Sequence, residues 1–341
     1  MTTRTRRISL LATAALLPLG VLAATGASAA TPAASGTTIA VSTSAELTSA
    51  LASVKAGDTI SLAGGVTYSG AFDATTSGTS SAPITLTGPS SAILTNSDSS
   101  GDLGTGYGFH LEAGYWNLTG FSVDDSAKGV VLDGADHDVL DGLTVHDIGD
   151  EGIHLRAFSS DDVVENSTVH DTGLKDAGYG EGVYIGSAKS NWKTYTDGNP
   201  DLSDDDRITG NTFGPNVAAE NIDAKEATVG GTISGNTFSG KGESGANSST
   251  DVVAVKGNDY TVSGNTMSDG LVDGFEVEQL VDGSGCGNVF TQNDIDLGAS
   301  GYGFNVKDQK KCASDPNVVG TSNTVTAAGD GAASIPETSG E

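Results

Sequence analysis

The chain is short of basic residues, of sulfur and of helix-building patterns. Its 341 residues include 16 Lys and Arg against 44 Asp and Glu, with two Cys, two Met and two Trp. So few cations under a net charge of −28 exclude a nucleic-acid-binding role, which needs a basic footprint for phosphates. Periodic runs of Ala, Leu, Glu and Lys are absent after Val54, which excludes a helical bundle. Beyond the first residues no stretch is apolar enough to span a bilayer. A nucleophile elbow, a phosphate loop and a His-x-x-x-His metal motif are also missing.

The first residues read as an export signal. Arg4, Arg6 and Arg7 form a basic start, Ile8 to Leu22 an apolar stretch, and Ala27-Ser28-Ala29 a small-residue cleavage site. The expected organisation is a signal peptide over 1–29, a linker over 30–37, one repetitive domain over 38–326 and a disordered tail over 327–341. The protein is expected to be secreted, monomeric and free of membrane attachment. Losing the three signal arginines leaves 13 basic residues against 44 acids, a net of −31. In an exported chain, Cys286 and Cys312, about one repeat apart, are expected to pair as a disulfide.

What the chain does have is glycine, 48 of them, and a sentence written many times. Glu220 to Asn265 contains it twice: an acid, a short alternating strand ending in lysine, a turn, a second strand and a Gly-Asn-Thr-apolar close. A unit of about 22–30 residues built from short strands cannot bury its own apolar face, so copies must stack. Phe109 to Glu112, Val130 to Asp133, Ile153 to Arg156, Val183 to Gly186, Ile222 to Lys225, Val253 to Lys256, Phe275 to Glu278 and Phe304 to Lys307 align as the first strand of successive coils. Their period of two puts one face inside and one out. Asn211, Asn236, Asn265 and Asn293 recur at the exit of a second strand and predict a hydrogen-bonded asparagine stack. The fold class is therefore an all-β solenoid, and the order of cap and first coils resembles that of secreted proteins with a single-stranded right-handed parallel β-helix, which is the fold expected. A capping helix is predicted over Ala45 to Val54 with Ser44 as its N-cap.

Stacking converts positions into columns with coils about 4.8 Å apart. The fourth strand position gives Asp133, Arg156, Gly186, Lys225, Lys256, Glu278 and Lys307. The second gives His154, Tyr184, Asp223, Ala254, Glu276 and Asn305. A third column precedes the strand: Glu151, Glu181, Glu220, Asp251 and Asp273. Like charges at such spacing ask for a cation, and carboxylates suit calcium, with Glu181, Glu220 and Asp251 as ligands; the bland alternative is that these acids are solvated.

The lysines suit an acidic polysaccharide as partner. β-Elimination on a uronate removes the C5 proton once the adjacent carboxylate is neutralised. Lys225 is the expected base, its pKa lowered by Lys256 and Arg156, and those two also bind substrate carboxylates. Gly186 leaves room for a sugar ring. His154, Tyr184, Asp223, Glu276 and Glu278 are the expected substrate-binding residues. The alternative is that Lys225 and Lys256 form surface ion pairs with Asp223 and Glu278. The insert 187–206 breaks the repeat, and its Trp192 and Tyr195 are either a sugar-stacking wall or anchors for the loop itself.

These motifs resemble the polysaccharide lyase family of alginate lyases and chondroitinase B. The opening (TTIAVSTSAELTSALASVKAGDTISLAGG, then APITLTG) runs in the same order as that family's cap and first coils. Glu220-Asn221-Ile222-Asp223-Ala224-Lys225 matches its spacing of metal-ligand glutamate and catalytic lysine. The resemblance implies Lys225 as base, Glu220 as a calcium ligand and Lys256 in place of an arginine. The family's second glutamate is here Ala218, and its Arg-His pair is Lys256-Gly257. A glycoside hydrolase, a C5-epimerase or a non-catalytic carbohydrate-binding solenoid on the same fold are the alternatives.

Overall fold

The computed structural model describes residues 36–97 and 103–339. The expected signal peptide and most of the linker lie outside the described residues. Among the described residues, three sheets of eleven, ten and ten strands run along one axis. Each coil adds one strand to each sheet; Lys128–Asp133, Val139–Asp141 and Thr144–His146 make one complete turn.

Register along the stack is unbroken where the sequence alternates best. Val130, Ile153, Val183, Ile222, Val253, Phe275 and Phe304 pair in succession through parallel ladders. A slip by one residue would turn every apolar side chain outward, so the buried face enforces this register. Inside, Phe213 and Phe238 stack at 5.4 Å between centroids, and Phe275 and Phe304 at 5.4 Å.

The asparagine stack forms as a relay. The Asn236 amide donates to the Ile208 carbonyl at 2.9 Å, and its carbonyl oxygen accepts from the Asn211 backbone N–H at 2.9 Å. Asn265, Asn293 and Asn323 repeat the pattern. Each side chain thereby satisfies backbone groups that a tight inward turn strands from the ladder.

A second buried column went unread in the sequence. Asp138, Asp162 and Asp206 stand in successive coils, fully or almost fully buried. One oxygen of each accepts a backbone N–H from the coil before: Trp116, Asp138 and Asp162 respectively. The other oxygen of each is buried with no partner. Further along this column Asn288 and Asn317 donate their amides to the carbonyls of Gly257 and Gly285, at 3.1 and 2.9 Å. Burial, with a smaller contribution from Asp136, pushes Asp138 up to about 8 from 3.8. The folded chain therefore binds this proton more tightly than the unfolded chain. The stability it contributes is complete below about pH 4 and is lost as pH rises through 8, at no more than about 1.4 kcal/mol per pH unit. Asp138→Asn should gain on the parent in denaturant unfolding as pH is raised from 5 to 8; an equal difference at both pH values would contradict this.

The cap is a helix over Ser44–Ser53 with Thr43, not Ser44, as its N-cap. The Thr43 hydroxyl accepts the Glu46 N–H at 3.2 Å, and the Glu46 carboxylate accepts the Ser42 N–H at 2.8 Å, a reciprocal box that moves the start by one residue. Leu47, Ala50 and Leu51 are buried against the end of the core.

The opposite end corrects an expectation. The tail over 327–341 is not disordered as far as it is described: Gly331–Ala333 pairs with the strand Tyr302–Val306, and Thr338 bridges to Gly320. Without an apolar pattern of its own, this segment orders because the last coil's open edge supplies unpaired backbone donors and acceptors. Nearby, Cys286 and Cys312 are disulfide-bonded with Cα atoms 5.3 Å apart.

Candidate active site

The site lies on the outward face of the sheet that carries Lys225. That face is roofed over its middle coils, so outward does not mean solvated. His154, Tyr184, Asp223, Ala254 and Glu276 are all buried. The column Glu151, Glu181, Glu220, Asp251 and Asp273 is buried as well, at 3–6% exposure. The reading of this ladder as freely solvated acids is therefore excluded.

Its charges are balanced at the ends and not in the middle. Glu151 pairs with Lys128, which heads the column and which the sequence reading passed over. Asp273 accepts from the Tyr302 N–H at 2.6 Å and the Asn305 amide at 2.9 Å. Glu276 is held by Lys307 at 2.6 Å, which also reaches Glu278 at 3.2 Å. Between them, Glu181, Glu220, Asp223 and Asp251 share the cleft with two lysines among the described residues, Lys225 and Lys256, so four carboxyl groups face two ammonium groups.

Asp223 is the hub. Its Oδ2 lies 2.5 Å from Lys225 Nζ and 2.8 Å from Lys256 Nζ, and Lys256 also approaches Glu220 at 3.7 Å. Burial pushes Asp223 up, but the two lysines outweigh it and hold the carboxyl below its usual range. Burial works against the charged form of Lys225, yet Asp223 more than compensates and raises the ammonium above its usual value. The expected lowering of Lys225 by cationic neighbours is thus overturned: one shared carboxylate, contributed by the second strand position, decides the sign. Lys225 and Lys256 do pair with Asp223, as the alternative reading had it, but in a buried setting.

Glu181 and Asp251 show the opposite effect. Burial first, then the neighbouring carboxylates, pushes both well above the carboxylate range. Glu181 Oε2 and Asp251 Oδ2 are buried with no partner. Glu181, Glu220 and Asp223 each offer an oxygen, and these lie within 4.8 Å of one another. These three clustered carboxyl groups, one with an orphaned buried oxygen, could hold a hard cation that displaces their protons; Asp251, an expected ligand, stands outside the cluster and Asp223 takes its place.

These groups line one cleft of about 200 Å³, together with Asn247, Ser248 and Ser249 from the loop after Ser239. Glu276 and Glu278 line it too. No signal in the repeat marks Asn247 or Ser248, since they come from a connection between coils. Tyr184 sits beneath: the Lys225 ammonium lies 4.9 Å from its ring centroid. Burial, then Asp223, raises the Tyr184 phenol well above its usual value, so it keeps its proton.

Three expected site residues are not among those that line the cleft: Tyr184, which stays beside Lys225, and Arg156 and His154, which lie further off. Arg156 is 2% exposed and turned away to Asp133, with bonds of 2.6 and 2.9 Å, and to the Tyr107 hydroxyl at 3.1 Å. His154 is sealed between coils, its Nε2 donating to the Gly186 carbonyl at 2.9 Å, and burial holds it below the usual imidazole value. The insert 187–206 does the sealing. Its Tyr195 ring lies 4.1 Å from the Arg156 guanidinium, and its Trp192 is buried with the indole N–H donating to Ser187. Both aromatics are loop anchors. Gly186 is likewise a local requirement: at φ +73° a Cβ would also come within 2.6 Å of Thr228.

Fold and site together define a parallel β-solenoid with a cation-ready, lysine-bearing cleft on one sheet. The sequence model described as "Pel9A-like, right handed beta helix region" matches residues 26–223, and the chain belongs to that family. It is similar to the crystal structure of an alginate lyase from Paenibacillus sp. str. FPU-7, with 38% identity, a TM-score of 0.80, and coverage of 88% of this chain and 99% of that one. Pectate lyase Pel9A follows at 18% identity and TM-score 0.62, covering 84% of this chain and 72% of that one. ORF18 of Geobacillus virus E2 gives 14% identity and TM-score 0.58, covering 84% and 62%. At such identities the last two speak for the fold alone. No curated protein sequence matches the chain.

Proposed function

We propose that the chain is a polysaccharide lyase that cleaves a uronate-containing polysaccharide by β-elimination, with Lys225 as the base. The observation that carries this reading is the Lys225–Asp223–Lys256 cluster at the floor of a carboxylate-walled cleft. The similarity to an alginate lyase makes alginate the first substrate to test.

The chemistry follows from the parts. The Lys256 ammonium meets the uronate carboxylate and stabilises the negative charge that develops beside C5. Lys225 Nζ takes the C5 proton. The Tyr184 phenol, which has no protein partner among the described residues, holds a proton it can pass to the departing glycosidic oxygen. A calcium ion on Glu181, Glu220 and Asp223 would supply positive charge against the substrate carboxylate and, by engaging Asp223, weaken the pairing that keeps Lys225 protonated.

A panel of alginate, pectate and glycosaminoglycans, with and without chelator, followed by the absorbance of the new C4–C5 double bond, tests the reading. Silence on every polyuronide with calcium present would sink it. New reducing ends without that absorbance would point to a hydrolase, and an altered uronate composition without shortening to an epimerase.

Calcium should raise the unfolding temperature, by a stabilisation of about 2.7 kcal/mol at a hundred times its dissociation constant. Glu181→Gln should remove that response and, without calcium, leave the protein at least as stable as the parent, because burial and the neighbouring carboxylates already favour a neutral group there. A response that survives the substitution would place the ion elsewhere.

No helix among the described residues is long and apolar enough to cross a membrane. The export-type first residues support an enzyme that acts on polymer outside the cell.

A further inference from the structure

The sheet that ends each coil carries a motif the lyase reading leaves unused. Val123-Asp124-Asp125, Val145-His146-Asp147 and Val169-His170-Asp171 occupy equivalent places in three successive coils. His146 pairs in register with His170, and Asp124 stands one coil earlier in the same column. The two imidazoles are stacked, with centroids 5.1 Å apart and planes 3° from parallel. Both are partly exposed, at 24% and 29% of their side chains.

Each imidazole is fixed from behind. The following aspartates, Asp125, Asp147 and Asp171, have φ of +42°, +55° and +53°, a left-handed turn that aspartate tolerates. That turn curls Asp147 and Asp171 back onto the preceding rings. Nδ1 of His146 lies 2.7 Å from Asp147, and Nδ1 of His170 lies 2.6 Å from Asp171. Asp171 is held in turn by the Asn216 amide at 2.7 Å. An Nδ1–H donated to a carboxylate leaves the Nε2 lone pair available, which is how proteins commonly orient a metal-ligating histidine. Neither Nε2 has a protein partner among the described residues.

We propose that His146 and His170 form a second metal site, for a divalent transition ion such as zinc, nickel or copper, separate from the calcium-type cleft. Imidazole nitrogen suits these ions, whereas calcium takes oxygen. Metal–nitrogen bonds of about 2.0–2.1 Å, at the angles of tetrahedral or square coordination, need the two Nε2 atoms roughly 3–3.4 Å apart. Parallel rings at 5.1 Å reach that by tipping together, which their exposure permits. Water completes the coordination, and Asp124, Asp125, Asp147 and Asp171 supply a negative field around the ion. The bound ion staples two neighbouring coils across one rung of the sheet.

Zinc titration of the calcium-saturated full chain by calorimetry tests this. One zinc should bind the parent, and His170→Ala should weaken it at least tenfold. Asp147→Asn should weaken it by about 10–100-fold through the lost orientation of His146. Copper bound to the parent should show two nitrogen ligands by electron paramagnetic resonance, reduced to one in His170→Ala. A melt without metal confirms that each variant is folded. A zinc isotherm unchanged by His170→Ala would overturn the proposal, as would loss of zinc binding in Glu181→Gln, which would put the ion in the cleft.

Discussion

Lys225→Ala should lower turnover of a uronate polymer by about 10²–10⁴-fold, the usual contribution of a positioned general base, while the protein stays folded and still binds the polymer. Folding should survive because Lys256 keeps both oxygens of Asp223, at 2.9 and 2.8 Å, after Lys225 is gone. Binding should survive because Lys256 remains to meet the carboxylate. The measurement is the initial rate of double-bond absorbance, with polymer affinity measured separately. A variant that turns over like the parent would remove Lys225 from the chemistry. One that also fails to bind would make it a docking residue. Lys256→Ala should differ in kind, losing affinity together with rate, because its charge acts on the bound and the reacting sugar alike.

Arg156→Ala should cost about 2–3 kcal/mol of stability, below the about 3–5 kcal/mol typical of a fully buried pair, because Asp133 is partly exposed and keeps His110 at 2.8 Å. The guanidinium is 2% exposed, bonded twice to Asp133 and packed against the rings of Tyr107 and Tyr195. Its loss strips Asp133 of its strongest partner and frees the insert that roofs His154. The pH dependence should change as well. Burial raises Asp133, but Arg156 and His110 outweigh it and hold the carboxyl well below its usual range. A depressed carboxylate contributes stability that is present above its unfolded pKa and is lost as pH falls towards the folded one. The parent should therefore lose stability in acid more steeply than the variant. Denaturant unfolding at pH 7 and pH 3 measures both effects. A cost under 1 kcal/mol with an unchanged acid profile would show that the pair contributes little.

The two substitutions separate what a single column had joined. Arg156 and Lys225 share the fourth strand position, and the sequence offers no reason to give them different work. The structure does: Arg156 has Asp133 in register beside it, at the same position of the preceding coil, whereas Lys225 has Gly186 there and turns to Asp223 instead.

What the sequence determined by itself is the solenoid, its register and the company its residues keep. Alternation of period two, repeated coil after coil, leaves one pairing that buries every apolar side chain, and so the columns of lysines, acids and asparagines follow from counting. The cleft residues Lys225, Lys256, Asp223, Glu181, Glu220 and Asp251 were legible for that reason. What only the tertiary structure decided is which of those columns are covered and what each charge faces. Loops from different coils fold over the sheet, and their paths obey no repeat. Burial and partner distance then fix whether Lys225 holds its proton, whether Glu181 lacks a counter-charge, and whether Asp138 is a carboxylate at all. Those are short-range electrostatic facts, sensitive to ångströms, and a pattern of residue types does not carry them.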